Sequence, residues 1–90
     1  MTEKANIVLT ETQKKYLTAV FLLLRVMDQV RMIDVAKLLR ASTGAVSDAM
    51  KRLREKGLLE TTPKGEITLI VSEAWAESRG LLLPALPIKP

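Results

Sequence analysis

Apolar positions along this chain change spacing from one stretch to the next, and each spacing predicts an element. Tyr16, Leu17, Val20, Phe21, Leu24 and Met27 recur three and four apart, the repeat of one helical face. Just ahead of them, Thr10, Glu11, Thr12 and Gln13 have the form of a capping box, a hydroxyl at the N-cap with glutamine three positions on. A long helix is expected to start here. A second stripe, Ala19, Leu22, Leu23, Val26 and Val30, runs beside the first. Two adjoining stripes exceed what one side of a small domain buries, so the second is expected to form a surface for self-association. Burial beneath the carboxy-terminal segment is the competing expectation.

Gln29, Val30, Arg31 and Met32 tolerate β structure and can form a small edge strand. Residues 34–39 predict a short helix with Val35, Leu38 and Leu39 inward and Lys37 outward. Arg40, Ala41 and Ser42 make a tight connection, and the Ser42 hydroxyl is placed to cap the next helix. That helix runs to Lys56, with Val46, Ala49, Met50 and Leu53 on one face and Gly57 as its left-handed terminating residue. Leu58, Leu59 and Glu60, a turn TTPKG, and the β-prone run EITLIV predict a hairpin. Ser72 caps a last short helix through Arg79, which Gly80 stops. Residues 1–9 lack a period and form a flexible arm. Residues 81–90 are an apolar tail rich in proline, so the predicted domain spans residues 10–80.

The chain is 48% hydrophobic but only 3% aromatic, so its core must be aliphatic, which suits packed helices. With 90 residues it holds one small domain. It has no cysteine and no histidine, which removes disulfides, thiolate chemistry, imidazole bases and the commonest zinc and iron ligands. No glycine-rich phosphate loop or recognisable pair of catalytic acids is present, and no small-molecule substrate is evident, so an enzyme is not expected. The longest apolar run, residues 19–24, falls far short of the roughly 20 residues a membrane span needs. The amino terminus has acids early and no apolar centre, unlike a secretory signal, so a cytoplasmic address is expected.

The net charge is +4, and its excess lies within residues 37–64. There Lys37, Arg40, Lys51, Arg52, Arg54, Lys56 and Lys64 face only Asp48, Glu55 and Glu60, while the remainder of the chain is balanced. A local basic field invites a polyanion. Two short helices joined by a tight turn, the second basic outside, are the parts of a helix-turn-helix. Ala36 is small where the helices must approach, and Val46, ten residues on, is apolar where the second packs back. Arg40 departs from the pattern, because such turns often place glycine there to take positive φ.

The outward face of the second helix is predicted as Gly44, Ser47, Asp48, Lys51 and Arg54. Its small amino-terminal residues let Thr43, Ser47 and Asp48 reach base edges, with Lys51, Arg52 and Arg54 near phosphates. The following hairpin completes a winged helix-turn-helix, a mainly α fold with a small β-hairpin wing. The wing tip, Lys64 and Gly65, is shaped to touch a phosphate or the minor groove. Lys37 and Arg40 belong to the same basic field. The expected partner is double-stranded DNA; a single Trp, Tyr and Phe cannot build a stacking platform for single strands.

From LTETQKKYLTAVFLLL through VRMIDVAKLLRASTGAVSDAMKRLREKGLLE, and less clearly into the hairpin and VSEAWAESRG, the sequence resembles the amino-terminal domain of the DtxR/MntR family of metal-responsive transcriptional repressors. MarR-like regulators share parts of this pattern. The resemblance implies a prokaryotic repressor that acts as a homodimer on palindromic operators, with Ser42, Thr43, Gly44, Ala45, Ser47 and Asp48 as the base-reading group. The family often has proline where this chain has Gly44, and a longer polar residue near Asp48. Its members bind manganese or iron through a first-helix residue and through His and Glu after the wing. The corresponding first-helix positions here, about Lys15 and Thr18, are not useful ligands, so no metal cofactor is expected. A stand-alone minimal regulator is favoured over a chain cut before its sensory part. Dimer symmetry would then come from Ala19, Leu22, Leu23 and Val26 and from Leu81, Leu82 and Leu83 of the tail. A protein-interaction module and a nonspecific DNA-coating protein are the alternative functions.

Overall fold

The computed structural model describes residues 7–81 and residue 83. Helix α1 (Glu11–Leu24) begins at the predicted box: Thr10 Oγ1 accepts from the Gln13 backbone N–H and Gln13 Oε1 from that of Thr10, each at 3.1 Å. The helix ends earlier than its apolar stripes. Val30 belongs instead to strand β1 (Val30–Arg31), where it pairs with Ile67 and is fully buried. Helix α2 (Met32–Leu39) follows at once, its start secured by the Asp34 carboxylate accepting from the Arg31 backbone N–H at 2.9 Å. Helix α3 (Thr43–Glu55) is capped by Ser42, whose Oγ accepts from Ala45 N–H at 3.1 Å.

Strands β2 (Leu59–Thr61) and β3 (Glu66–Leu69) form the predicted hairpin, and the edge strand joins it. The result is one antiparallel sheet of order β1-β3-β2, with Val30 opposite Ile67 and Leu59 opposite Leu69. Helix α4 (Glu73–Ser78) closes the described chain, capped by Ser72. The protein is therefore mainly helical with a small antiparallel sheet. No helix among the described residues is long and apolar enough to cross a membrane.

The core is aliphatic, as composition requires. Leu17 and Val20 of α1, Val35 of α2, Val46, Met50 and Leu53 of α3, and Leu58 and Leu59 at the hairpin are all fully buried. Truncating one of the leucines to alanine costs about 2–5 kcal/mol, a large share of the roughly 5–15 kcal/mol that holds a domain together. Ala36 and Val46 are both buried where α2 meets α3, the positions expected for close approach. Three expectations fail at this level. Leu38 is 48% exposed, because α2 buries only a narrow face around Val35 and Ala36 against its neighbours. Ile7 and Leu9 pack on the core, so the end of the predicted arm belongs to the domain. Leu81 is buried and Leu83 packs against the same core, so the start of the predicted tail belongs to it too. Residues 1–6, Leu82 and residues 84–90 lie outside the described residues.

Two left-handed residues set the turns around α3. Gly57, at φ 78°, ends the helix: its N–H bonds to Arg54 O at 2.9 Å and that of Leu58 to Leu53 O at 3.1 Å. This double closure turns the chain into the hairpin with Leu58 buried. The same closure ends α2, where Ala41 N–H reaches Ala36 O at 3.0 Å, but there the left-handed residue is Arg40, at φ 55°. The departure from glycine noticed in the sequence thus falls on a strained position. A side chain in this conformation costs about 1–2 kcal/mol. Arg40→Gly is expected to raise stability by up to about 1 kcal/mol, or about 4–8 °C in Tm. Arg40→Val, β-branched, should lower it; equal melting of all three proteins would contradict the strain.

Helix α4 is fastened to the end of α1 by a two-point ion pair, Arg25 Nε to Glu73 Oε2 at 3.1 Å and Arg25 Nη2 to Glu73 Oε1 at 2.8 Å. The Arg79 guanidinium lies over the Trp75 ring, 5.5 Å from its centre. Hydrogen bonding to Arg25 holds the Glu73 carboxyl below the usual carboxylate range. A depressed carboxylate adds stability that is complete above its unfolded pKa of about 4.3 and is lost as pH falls through the lower folded value. Glu73→Gln should therefore lower Tm near neutrality and flatten its fall in acid, followed by fluorescence of the single Trp75. An acid limb identical to that of the unaltered protein would show that the pair does not hold α4.

Candidate nucleic-acid interface

Burial of Val46, Ala49, Met50 and Leu53 turns the opposite side of α3 to solvent. All six residues expected to read bases, Ser42, Thr43, Gly44, Ala45, Ser47 and Asp48, are exposed. Nothing lies within 4 Å of where a Gly44 side chain would stand, so the backbone of the first turn is open to close approach. At the start of the helix Ser42 caps one backbone N–H, that of Ala45, and Arg52 and Arg54 lie in its last turn. That order favours the helix electrically and puts positive charge at its far end.

The basic side chains expected along α3 divide into different roles. Lys51 is exposed and makes no ion pair among the described residues. Arg52 bonds through Nε to Asp48 Oδ2 at 3.2 Å, both side chains being 62% exposed. Arg54 reaches across to the sheet, donating from Nη1 to Thr61 Oγ1 at 3.0 Å, so it ties the end of α3 to β2. Lys56, expected near phosphate, turns inward instead. Its ammonium donates to Val8 O at 2.6 Å and to the buried Gln13 Oε1 at 2.7 Å, joining the end of α3 to the start of α1.

Lys37 and Arg40 are exposed and unpaired among the described residues. At the hairpin turn Thr62 accepts from Gly65 N–H through its carbonyl at 2.9 Å, and from Lys64 and Glu66 N–H through its hydroxyl at 3.2 Å each. Lys64 is exposed. Gly65, at φ 84°, is half-buried, and its carbonyl accepts from Met32 N–H at 2.9 Å, so the turn is anchored to α2.

Sequence reasoning missed two features of this surface. Glu55 shares a small cleft with Asp48, Lys51 and Arg52, so the outward stripe carries a second acid; its spacing of seven from Asp48 was the available signal. On the other flank, Thr10, Thr12, Gln13 and Tyr16 of α1 border a cleft of about 400 Å³ against Ala45, Asp48, Ala49 and Arg52. Nothing local in the sequence brings those elements together.

The surface expected for self-association is also revised. Ala19 and Leu81 are buried in the core and unavailable. Leu23 and Leu83 are half-buried against it, and Leu82 lies outside the described residues. Val26 remains, 79% exposed, and Leu22 lines an open cleft of about 480 Å³ with Leu38 and Leu39. Lys14, Lys15, Thr18 and Glu11 rim this cleft. Its one carboxylate, Glu11, already pairs with Lys14 at 3.4 Å, and the remaining side-chain donors are ammonium groups and a hydroxyl. This donor set does not fit manganese or iron. No family model, curated protein or solved structure matches the chain.

The roles of Lys51 and Lys56 separate experimentally. Lys56→Met should cost about 1–2 kcal/mol in chemical denaturation, since two hydrogen bonds to a charged donor are lost. Lys51→Ala should change stability by less than about 0.5 kcal/mol. Equal losses would mean that Lys56 does not hold α1 to α3.

Proposed function

We propose that this chain is a sequence-specific, double-stranded-DNA-binding transcriptional regulator of the winged helix-turn-helix type, with α3 as recognition helix and the β2–β3 hairpin as wing. The observation that carries this reading is the free face of α3. Small and hydroxylated residues stand exposed over its first two turns, with unpaired Lys51 beyond them. A helix of this kind enters the major groove with its amino-terminal half at the bases and its cations at flanking phosphates. Lys37, Arg40 and Lys64 supply further exposed cations on neighbouring elements. The resemblance to DtxR/MntR-type repressors adds the expectation of repression in the cytoplasm, without metal because the donor set does not suit it. Catalysis has no part in this reading.

A homodimer on a palindromic site completes the proposal. Exposed Val26 and Leu38, with half-buried Leu22 in the cleft between α1 and α2, are apolar residues available for it. Asp48 and Glu55 on the outward stripe favour a second reading, in which the same face meets a protein partner of mixed charge.

Selection of bound duplexes from a random library, then titration of the winner at two salt concentrations, decides between them. The expected result is a palindromic motif whose affinity falls steeply with salt, by a log–log slope of about 0.9 for each phosphate contacted. Ser47→Ala should then alter base preference while Lys51→Ala weakens all duplexes alike. No enrichment would move the function to the protein-interaction module, and a monomer in concentrated sedimentation runs would remove the dimer.

A further inference from the structure

A carboxylate in the middle of a DNA-facing helix needs a physical reason, because it meets the strongly negative field of the duplex. Asp48 stands opposite the buried Val46, Met50 and Leu53, with most of its side chain in solvent. Its only bond among the described residues is the single contact from Arg52 Nε to Oδ2 at 3.2 Å. That contact leaves Oδ1 free to accept, and leaves both terminal NH2 groups of Arg52 free to donate. The pair is neutral as a unit, so it removes most of the repulsion a lone acid would add. It also limits the directions Oδ1 can take.

In the major groove, only the exocyclic amino groups of cytosine and adenine donate a hydrogen bond. Adenine sets the N7 acceptor beside its N6 amino group, and a carboxylate is repelled by it. Cytosine presents N4 with no acceptor of its own on that edge. We propose that Asp48 is a specificity-determining residue that reads cytosine, accepting from N4–H through Oδ1. Arg52 is its positioning residue, steering the carboxylate through Nε while its free NH2 groups meet an adjacent phosphate. This inference rests on α3 being the recognition helix. It departs from a purely helix-stabilising role for the pair, which acid-before-base spacing of four also serves.

The test is duplex selection with the full chain and with Asp48→Ala, Asp48→Asn and Arg52→Gln, each checked for folding by circular dichroism. The unaltered protein should select cytosine at one position of each half-site. Asp48→Ala should lose preference at that position alone, with affinity for the original site reduced about five- to tenfold. Asp48→Asn should move the preference toward adenine, whose N6 and N7 suit an amide. Arg52→Gln should blur the cytosine preference and lower the salt slope by about 0.9. A helix-stabilising role alone would change melting and leave the selected bases as they were. If the unaltered protein selects a motif and Asp48→Ala selects the same one, the assignment of Asp48 is overturned while DNA reading stands. If the unaltered protein selects nothing, DNA reading falls first and this inference with it.

Discussion

The apolar stripe of α3 has one place to be buried, and the rest of the surface follows from that constraint. Val46, Ala49, Met50 and Leu53 pack into a core shared with Leu17 and Val20 of α1 and with Leu58 and Leu59 at the hairpin. Once that face is inward, Gly44, Ser47, Asp48 and Lys51 must face water. Among the described residues no second layer covers them. The exposed face is therefore a consequence of packing, and it is polar and open to close approach at Gly44.

The turns at either end of α3 make that packing possible. Arg40 and Gly57 each adopt the left-handed conformation, and each, with the residue after it, donates a backbone bond to the helix just finished. Gly57 does so without a side-chain penalty. Arg40 does so against one, and the chain retains a cation in the connection between α2 and α3. A glycine there would relieve strain and remove one charge from the basic field.

Charge is spent unevenly across the basic segment. Lys56 and Arg54 connect α3 to α1 and to β2, Arg52 is half engaged by Asp48, and Lys51, Lys37 and Lys64 remain open. Counting cations along the sequence overstates what is available to a polyanion, because a lysine beside a helix terminus can be recruited by a buried acceptor such as Gln13 Oε1. The acids are as informative. Asp48 and Glu55 interrupt the positive stripe, so the face carries charge of both signs.

What the sequence determined by itself were the features written in local chemistry. Thr10 and Gln13, Ser42, Ser72 and Gly57 marked helix ends through hydrogen bonds that span only three to five residues, and the TTPKG turn between β-prone runs marked the hairpin. The inward stripe of α3 was equally legible, since a 3.6-residue repeat reports which side is apolar. Tertiary structure alone decided which apolar residues were covered and which cations were free. Periodicity could not say that α1 ends at Leu24, that Val30 pairs with Ile67 in the sheet, or that Ala19 and Leu81 are buried while Leu38 is left out. Nor could it place the Lys56 ammonium on Val8 and Gln13, 48 and 43 residues away. Local preferences fix helix ends because their partners are neighbours in the chain, whereas burial and long-range ion contacts depend on which surfaces the completed fold brings together.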